Sequence, residues 1–448
     1  MSADSKPAKG RHAQTARFDL AGGAIALLEP SHAVPLVSIV VALRSGSAAD
    51  PADKTGLARI AVRMLRRGCD GMTSEQIDAR IDLLGAEMAV DTSHSTVAIH
   101  AQVIARNLDA FVDLLARLLA TPTFDETELA KLKRESVAEI IEARDSDRVV
   151  AQKALQRTLF AGHAYGRNSG GTVRSVEAIA RPDVVGFYRR SVVKRNLVVG
   201  LSGDVAADRA PAVAARIVGG LQEGAAVPDE VGEPAMRPGR RLVVVDKPER
   251  TQTQILVGTL GTSAHDEDHA PLVIANAVFG GTFTSRLMRE IRSKRGWSYG
   301  ASARTGVDRH RQSWVMWTFP AAVDCGPCLK LSLELMQTWI ADGVTPREVA
   351  FIQRYLVRSH AFEVDTAGKR LHQALDVELL GLPADYFASW IERVLAVTPE
   401  SASAAVRRRI HPGDLLAVVV GTAAQVDGAV RGAMPGLTEA SVVPFDAE

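Results

Sequence analysis

Cysteine is scarce in this chain: Cys69, Cys325 and Cys328 are the only three in 448 residues, and three cysteines do not make a disulfide framework. Neither charge is in excess. Lys and Arg number 53 against 52 Asp and Glu, for a net charge of +1. That balance gives no pull toward nucleic acid or an anionic membrane surface. No apolar run is long enough to span a bilayer. The opening stretch "MSADSKPAKGRHAQTARF" is polar and basic, without the apolar segment of a secretory signal. The expected location is therefore cytoplasmic, or periplasmic if a leader precedes the chain. What is present is a globular composition, 46% hydrophobic and 23% charged. The length exceeds one ordinary core, so two or more domains are expected.

An internal repeat organises those domains. "RNLVVGLSGDV" and "GDLLAVVVGTAAQV" are both apolar strands ending in a glycine, and Gly203 and Gly421 lie 218 residues apart. "RPDVVGFYRRSV" and "TPESASAAVRRRI" both open a helix with proline and close it with basic residues, with Pro182 and Pro399 217 apart. Glu128 in "FDETELAKLKRESV" and Glu348 in "VTPREVAFIQRYLV" are 220 apart. The aperiodic, Gly- and Pro-rich stretch 219–240 reads as a linker between an N-terminal half, 1–218, and a C-terminal half, 241–448. Each half begins with strands and proceeds to helices. Thr73 and Gln76 spell a capping box, Gly85 a helix stop, and "AEMAVDTSHSTVAIHAQVI" alternates as a hairpin. The expected class is α+β: two copies of an antiparallel-rich sheet with helices on one face.

One short helix carries an oddity. In "GLARIAVRMLRRG" the residues Leu57, Ile60, Met64 and Leu65 keep helical apolar spacing, yet Arg59 and Arg63 sit one turn apart on one face beside Val62. Like charges at that spacing repel.

The order of these elements resembles the pitrilysin, insulysin and mitochondrial-processing-peptidase family of zinc peptidases, the inverzincins. The matching stretches are "GLARIAVRML", "MTSEQIDARIDLLGAEMAVDTSHST", "LLATPTFDETELAKLKRESVAEI", "HAYGRNSGGTVRSVEAI" and "VFGGTFTSRLMREIRSKRGWSYGASA". The resemblance implies a clamshell of two αβ halves, often paired with a second chain around a chamber. Active members carry H-x-x-E-H on the first helix: two imidazoles one turn apart ligate zinc and the Glu between them is the general base. This chain has Arg59 and Arg63 at the two His positions and Val62 at the base position. Aligned on "F-D-x-x-E-L", the distal Glu ligand position holds Ala130. A guanidinium does not ligate zinc, and no H-x-x-E-H occurs anywhere.

The resemblance also implies an Arg and a Tyr from the second half that contact substrate near the scissile bond; Arg292 and Tyr299 in "REIRSKRGWSYG" match them. "TSRLMREIRSK" reads as a helix capped by Gly296, and "WSYGASART" as a strand. Spacing alone favours a surface ion pair for Arg292 and strand packing for Tyr299; the resemblance reverses that preference. Arg286, Arg289, Lys294 and Arg295 read as a solvated helix face. The pattern implies a zinc-less, non-catalytic subunit of a heterodimeric metallopeptidase. No cofactor is expected in this chain; zinc would sit in a homologous partner subunit, and a peptide would be held along a sheet edge. The alternative is an inactive homologue acting as a scaffold, for instance as a homodimer. Three further motifs carry weaker signals. "DCGPC" spells C-x-x-C without a thioredoxin context, so incidental thiols are favoured over redox work. "HDEDH" (265–269) reads as a polar helix start rather than a metal site, and His163 as part of a structural loop.

Overall fold

Two runs, "LVVGLSG" at 197–203 and "LAVVVG" at 416–421, are almost uninterruptedly apolar. Strands with no polar face must be covered on both sides. The computed structural model, which describes residues 15–448, puts each at the middle of a six-stranded sheet. The opening stretch read above for a secretory signal falls mostly outside the described residues. The strands are β1 (Ala16–Asp19), β2 (Ile25–Pro30), β3 (Leu36–Leu43), the short β4 (Gly68–Cys69) and β5 (Met72–Thr73), β6 (Ala86–Thr92), β7 (Val97–Ile104) and β8 (Leu197–Gly203) in the first half. The second half has β9 (Arg240–Asp246), β10 (Gln254–Leu260), β11 (Ala301–Thr305), β12 (Ser313–Thr318), β13 (Leu416–Gly421) and β14 (Leu437–Pro444).

The sheet orders are β1-β2-β8-β3-β7-β6 and β14-β9-β13-β10-β12-β11. Five of the six strands match pair for pair. β2 with β8 and β9 with β13 are the parallel pairs, and the following three pairings are antiparallel in both sheets. The repeat read from the sequence is thus a repeat of topology. Only the outer strand differs: β1 joins β2 antiparallel, whereas β14 joins β9 parallel. The marker residues fall at equivalent places. Gly203 and Gly421 end β8 and β13. Glu128 and Glu348 each stand three residues after an N-cap, Asp125 and Thr345. The Thr73–Gln76 capping box forms, and Gly85 ends its helix at φ +60°.

One face of each sheet carries that half's own helices, burying a separate core in each half. Helices were expected on this face alone. The other face also takes one helix, and it comes from the opposite half. Helix Asp147–Leu159 lays Val150, Ala154 and Leu155 on β9, β10 and β13. Helix Ala367–Leu380 lays Leu371, Leu375 and Leu379 on β2, β3 and β8. This exchange supplies the second cover that the fully apolar strands require. A glycine opens room for each helix. A Cβ on Gly200 would stand 3.2 Å from Leu371 and Leu375, and one on Gly258 3.3 Å from Leu155. Ion pairs rim the exchange: Arg370 with the buried Glu29 at 2.9 Å, and Lys247 with Asp147 at 2.6 Å. No helix or strand forms between Gly219 and Arg240. That segment still touches both halves, through Val227 N–H to Asn196 (3.3 Å) and Asp229 to His310 (2.9 Å). No helix among the described residues is long and apolar enough to cross a membrane.

Candidate functional site

The helix Leu57–Met64 buries Leu57, Ile60, Ala61, Val62 and Met64 in the first core. Its start is fixed from a distance. The Asp50 carboxylate accepts the amides of Gly56 (2.9 Å) and Ala58 (3.0 Å). Burial pushes this carboxyl up to about 7 in spite of those bonds. Gly56 needs φ +92° there, with the Gly170 carbonyl pressed against it.

On the exposed side of the helix, Arg59 and Arg63 face Glu139 of helix Glu126–Glu142. Arg63 grips it with both nitrogens (Nη1–Oε2 3.1 Å, Nη2–Oε1 2.9 Å) and also donates to Ser136 Oγ at 3.2 Å. Arg59 Nη2 reaches the same Oε2 at 2.9 Å. Arg67 extends the row by pairing with Glu135. One carboxylate thus binds both guanidiniums, and the repulsion expected between neighbouring arginines is removed.

This geometry corrects the position assigned to the distal ligand. The residue opposite both vacated His positions is Glu139, not Ala130. Nine residues of α-helix turn the chain by half a revolution, so the two lie on opposite faces. Ala130 lines a groove with Ile179, Arg181 and Pro182 instead. The signal for Glu139 was in the sequence: Glu135 and Glu139 repeat one turn apart, as Arg59, Arg63 and Arg67 do. Val62, at the base position, is fully buried.

In the second half, residues 288–294 form a π-helix, Met288–Lys294, in place of the α-helix expected there. Gly296 (φ +66°) ends it, its amide bonded to Arg292 O at 3.0 Å. Tyr299 precedes the expected strand, which starts only at Ala301, because Ser298 Oγ bonds both the amide (3.3 Å) and the carbonyl (2.8 Å) of Gly300 and turns the backbone aside. The outcome is a stack: the Arg292 guanidinium sits 4.5 Å from the Tyr299 ring and 4.5 Å from the Phe283 ring. Tyr299 is 78% and Phe283 73% exposed. The Arg292 guanidinium and the Tyr299 hydroxyl have no hydrogen bond or ion pair among the described residues. The ion-pair alternative for Arg292 and the strand-packing alternative for Tyr299 are therefore not what forms. Phe283 was missed in the sequence, because an exposed aromatic in a loop carries no periodic signal.

The basic residues around Arg292 are not a free solvated face. Arg286 grips Glu348 at 2.9 and 2.7 Å and donates to Gly343 O, and Arg286 together with the Thr345 cap holds the Glu348 carboxyl down at about 2 against the effect of burial. Lys294 and Arg295 converge on Glu290 at 2.8 and 3.0 Å. At two of the four edges of the six-stranded sheets a side chain already takes one backbone carbonyl. Asn276 donates to Ala303 O of β11 (2.9 Å), and Arg66 to Met88 O of β6 (3.0 Å).

The remaining motifs are structural. His269 is buried between Thr262 (2.8 Å) and Tyr386 (2.9 Å), and burial lowers it to about 4. His265 points to solvent, so the pair does not converge. Burial pushes the Cys325 and Cys328 thiols up to about 11 and 12, far from a reactive thiolate. His163 caps its loop by accepting the Tyr165 amide at 3.1 Å. Among the described residues, no group of three His, Cys, Asp or Glu is placed to hold a metal ion.

The chain is a duplicated αβ unit whose first helix carries two arginines paired to one carboxylate, with no metal-holding group among the described residues. Residues 25–173 match the family model "Insulinase (Peptidase family M16)" and residues 178–356 match "Peptidase M16 inactive domain". The chain belongs to peptidase family M16. It is 22% identical to the "Non-peptidase homolog YmxG" of Helicobacter pylori, over 88% of this chain and 91% of that one. It is 28% identical to an "Uncharacterized zinc protease" of Mycobacterium leprae, over 75% and 76%. Its fold matches the crystal structure of a peptidase M16 inactive domain from Pseudomonas fluorescens with a TM-score of 0.83 at 23% identity, covering 91% of this chain and 98% of that one.

Proposed function

We propose that this chain is the zinc-less subunit of a heterodimeric metallopeptidase, presenting Arg292 and Tyr299 to the active site of a homologous, zinc-bearing partner. The observation that carries the reading is the exposed stack of Arg292 between Phe283 and Tyr299, with its donors unused, in a chain whose own metal positions hold arginines locked to Glu139. The partner's zinc and Glu would supply the activated water. The residues of this chain do the rest. The two rings would hold the guanidinium in place, so that its N–H groups and the nearby phenol O–H could serve one acceptor. A peptide carbonyl placed there develops negative charge on its oxygen as it is attacked, and these donors stabilise that charge more than they stabilise the ground state. The chain closes the peptide chamber and needs no cofactor of its own.

The test is reconstitution. The isolated chain should bind no stoichiometric zinc and cleave no peptide; mixed with an H-x-x-E-H-bearing homologue of the same organism it should give activity. Tyr299→Phe in that complex should lower turnover far more than peptide binding. Full activity of the isolated chain, or an unaffected Tyr299→Phe complex, overturns the reading. The second reading, an inactive homologue serving as a scaffold, draws on the non-peptidase name of the Helicobacter relative. A stable homodimer with no peptidase partner would favour it.

A further inference from the structure

Beside the vacated metal positions lies a cavity of about 620 Å³, the size of a small-ligand or short-peptide pocket. Ile140 and Ala143, just beyond Glu139, form part of its wall. Five cations line it: Arg144, Lys153, Arg157, Arg167 and Arg174. Outside the segment 443–448, Asp53 is the only acid in the wall among the described residues. Lys153 is the notable member. Its ammonium is half-buried and has no hydrogen bond or ion pair among the described residues. Burial, and secondarily Arg144, lower its pKa, with Glu448 opposing and Arg59 adding to the effect. A half-buried ammonium that makes no ion pair, with only the more distant Glu448 acting in its favour, gains from an anion placed against it.

The structure also displays how this pocket treats a carboxylate. Segment 445–448 lies along one wall. The Glu448 Oε1 accepts Arg144 Nη2 at 2.9 Å and the Val173 amide at 2.9 Å, and Oε2 faces the Arg174 amide at 3.4 Å. Arg157 donates to Ala447 O at 2.9 Å. Phe445 packs into the adjoining core, with Lys247 5.6 Å from its ring. An acid, a backbone carbonyl and an aromatic of one short peptide are each read by a separate feature of the pocket wall. The space beside them is still open, and Lys153 faces it.

We propose that this cavity is a binding site for an acidic peptide segment, with Lys153 as its central counter-charge and the chain's own Asp446 and Glu448 as partial, competing occupants. The site lies entirely within this chain and does not require the peptidase pairing proposed above.

The experiment uses the full chain and fluorescein-labelled Val-Pro-Phe-Asp-Ala-Glu, the sequence of residues 443–448, followed by fluorescence anisotropy. The expected result is salt-sensitive binding that tightens about fivefold in Asp446→Asn/Glu448→Gln and weakens about fivefold in Lys153→Gln, the scale of one screened ion pair. The peptide with Asn and Gln in place of its acids should not compete. Lys153 has no partner to lose, so Lys153→Gln should melt like the unaltered chain and keep the test valid should the double variant unfold. Equal affinity of Lys153→Gln and the unaltered chain, equal competition by the neutral peptide, or no binding by any form overturns the proposal. The measurement involves no zinc-bearing subunit, so its failure leaves the pairing untouched, and failure of the pairing leaves this site standing.

Discussion

The two halves put the same side chain to opposite uses. In the first half, the guanidiniums of Arg59 and Arg63 meet the Glu139 carboxylate, and Arg63 also meets Ser136. Their donors toward the old metal position are occupied. In the second half, Arg292 is held, among the described residues, by the faces of Phe283 and Tyr299. A ring face attracts a cation without accepting its N–H groups in line, so the donors stay available. A guanidinium bound by a carboxylate is closed to chemistry; one bound by rings is positioned for it. The first-half pair is closed by Glu139, and the second-half guanidinium keeps its donors free beside two exposed rings.

The sharpest way to break that contrast is to reopen the first site. Arg59→His with Arg63→His would put two imidazoles one turn apart opposite Glu139, a three-ligand set. Zinc analysis of the purified double variant should show about one ion per chain with submicromolar affinity, roughly 8 kcal/mol of binding free energy. Adding Glu139→Gln should abolish it, whereas Ala130→Glu in place of Glu139 should not restore it. The next effect is in the second half. Arg292→Ala in the reconstituted complex should cost about 10²–10³ in kcat, the range for loss of one oxyanion donor, with little change in KM. Phe283→Ala should give a smaller loss, because the stacking it provides is on the order of 1 kcal/mol. Neither change should move the melting temperature appreciably, since both rings of the stack are largely exposed.

How much of this was legible in the sequence follows from the kind of signal each feature leaves. The duplication was legible, because strands ending at Gly203 and Gly421 and caps preceding Glu128 and Glu348 are local events repeated at one offset. The vacated ligands were legible because Arg59, Val62 and Arg63 stand within one helical turn. The third ligand position was not placed correctly. An alignment anchored at the start of helix Glu126–Glu142 cannot choose among its faces, and Glu139 is identified only by what stands across from it. The exchange of helices Asp147–Leu159 and Ala367–Leu380 was also invisible. Nothing in either segment says which sheet its leucines cover, and only the doubly apolar β8 and β13 hinted that a second cover was required. The π-helix at 288–294 leaves no pattern that separates it from an α-helix of the same residues.

A third prediction weighs the seal itself. Glu139→Gln leaves two arginines one turn apart without their shared counter-charge. Because these side chains are 20–39% exposed, solvent screens part of the loss, and the expected destabilisation is about 1–2 kcal/mol by denaturant unfolding. Arg63→Met should cost less than Glu139→Gln, since Arg59 keeps the carboxylate paired. In a double-mutant cycle the two changes should be non-additive. Additive costs would mean that the row of ion pairs does not act as one unit, and the contrast with Arg292 would weaken accordingly.

The halves also separate by pH, through Glu128 and Glu348 at equivalent positions of the repeat. Glu348 receives both nitrogens of Arg286 and the Thr345 cap, and these hold its folded carboxyl at about 2, below an ordinary value of 4.5. Glu128 has Lys131 at 2.6 Å and the more distant Arg67 at 3.8 Å. A carboxyl depressed by folding stabilises the native state above its unfolded pKa, and that contribution is lost as pH falls from about 4.5 toward 2. After allowance for screening, the amount is about 1–2 kcal/mol. Glu348→Gln should therefore lower stability at pH 7 by that amount, and its cost should shrink toward pH 2. A pH-independent cost would mean that Glu348 acts through its neutral hydrogen bonds rather than its charge.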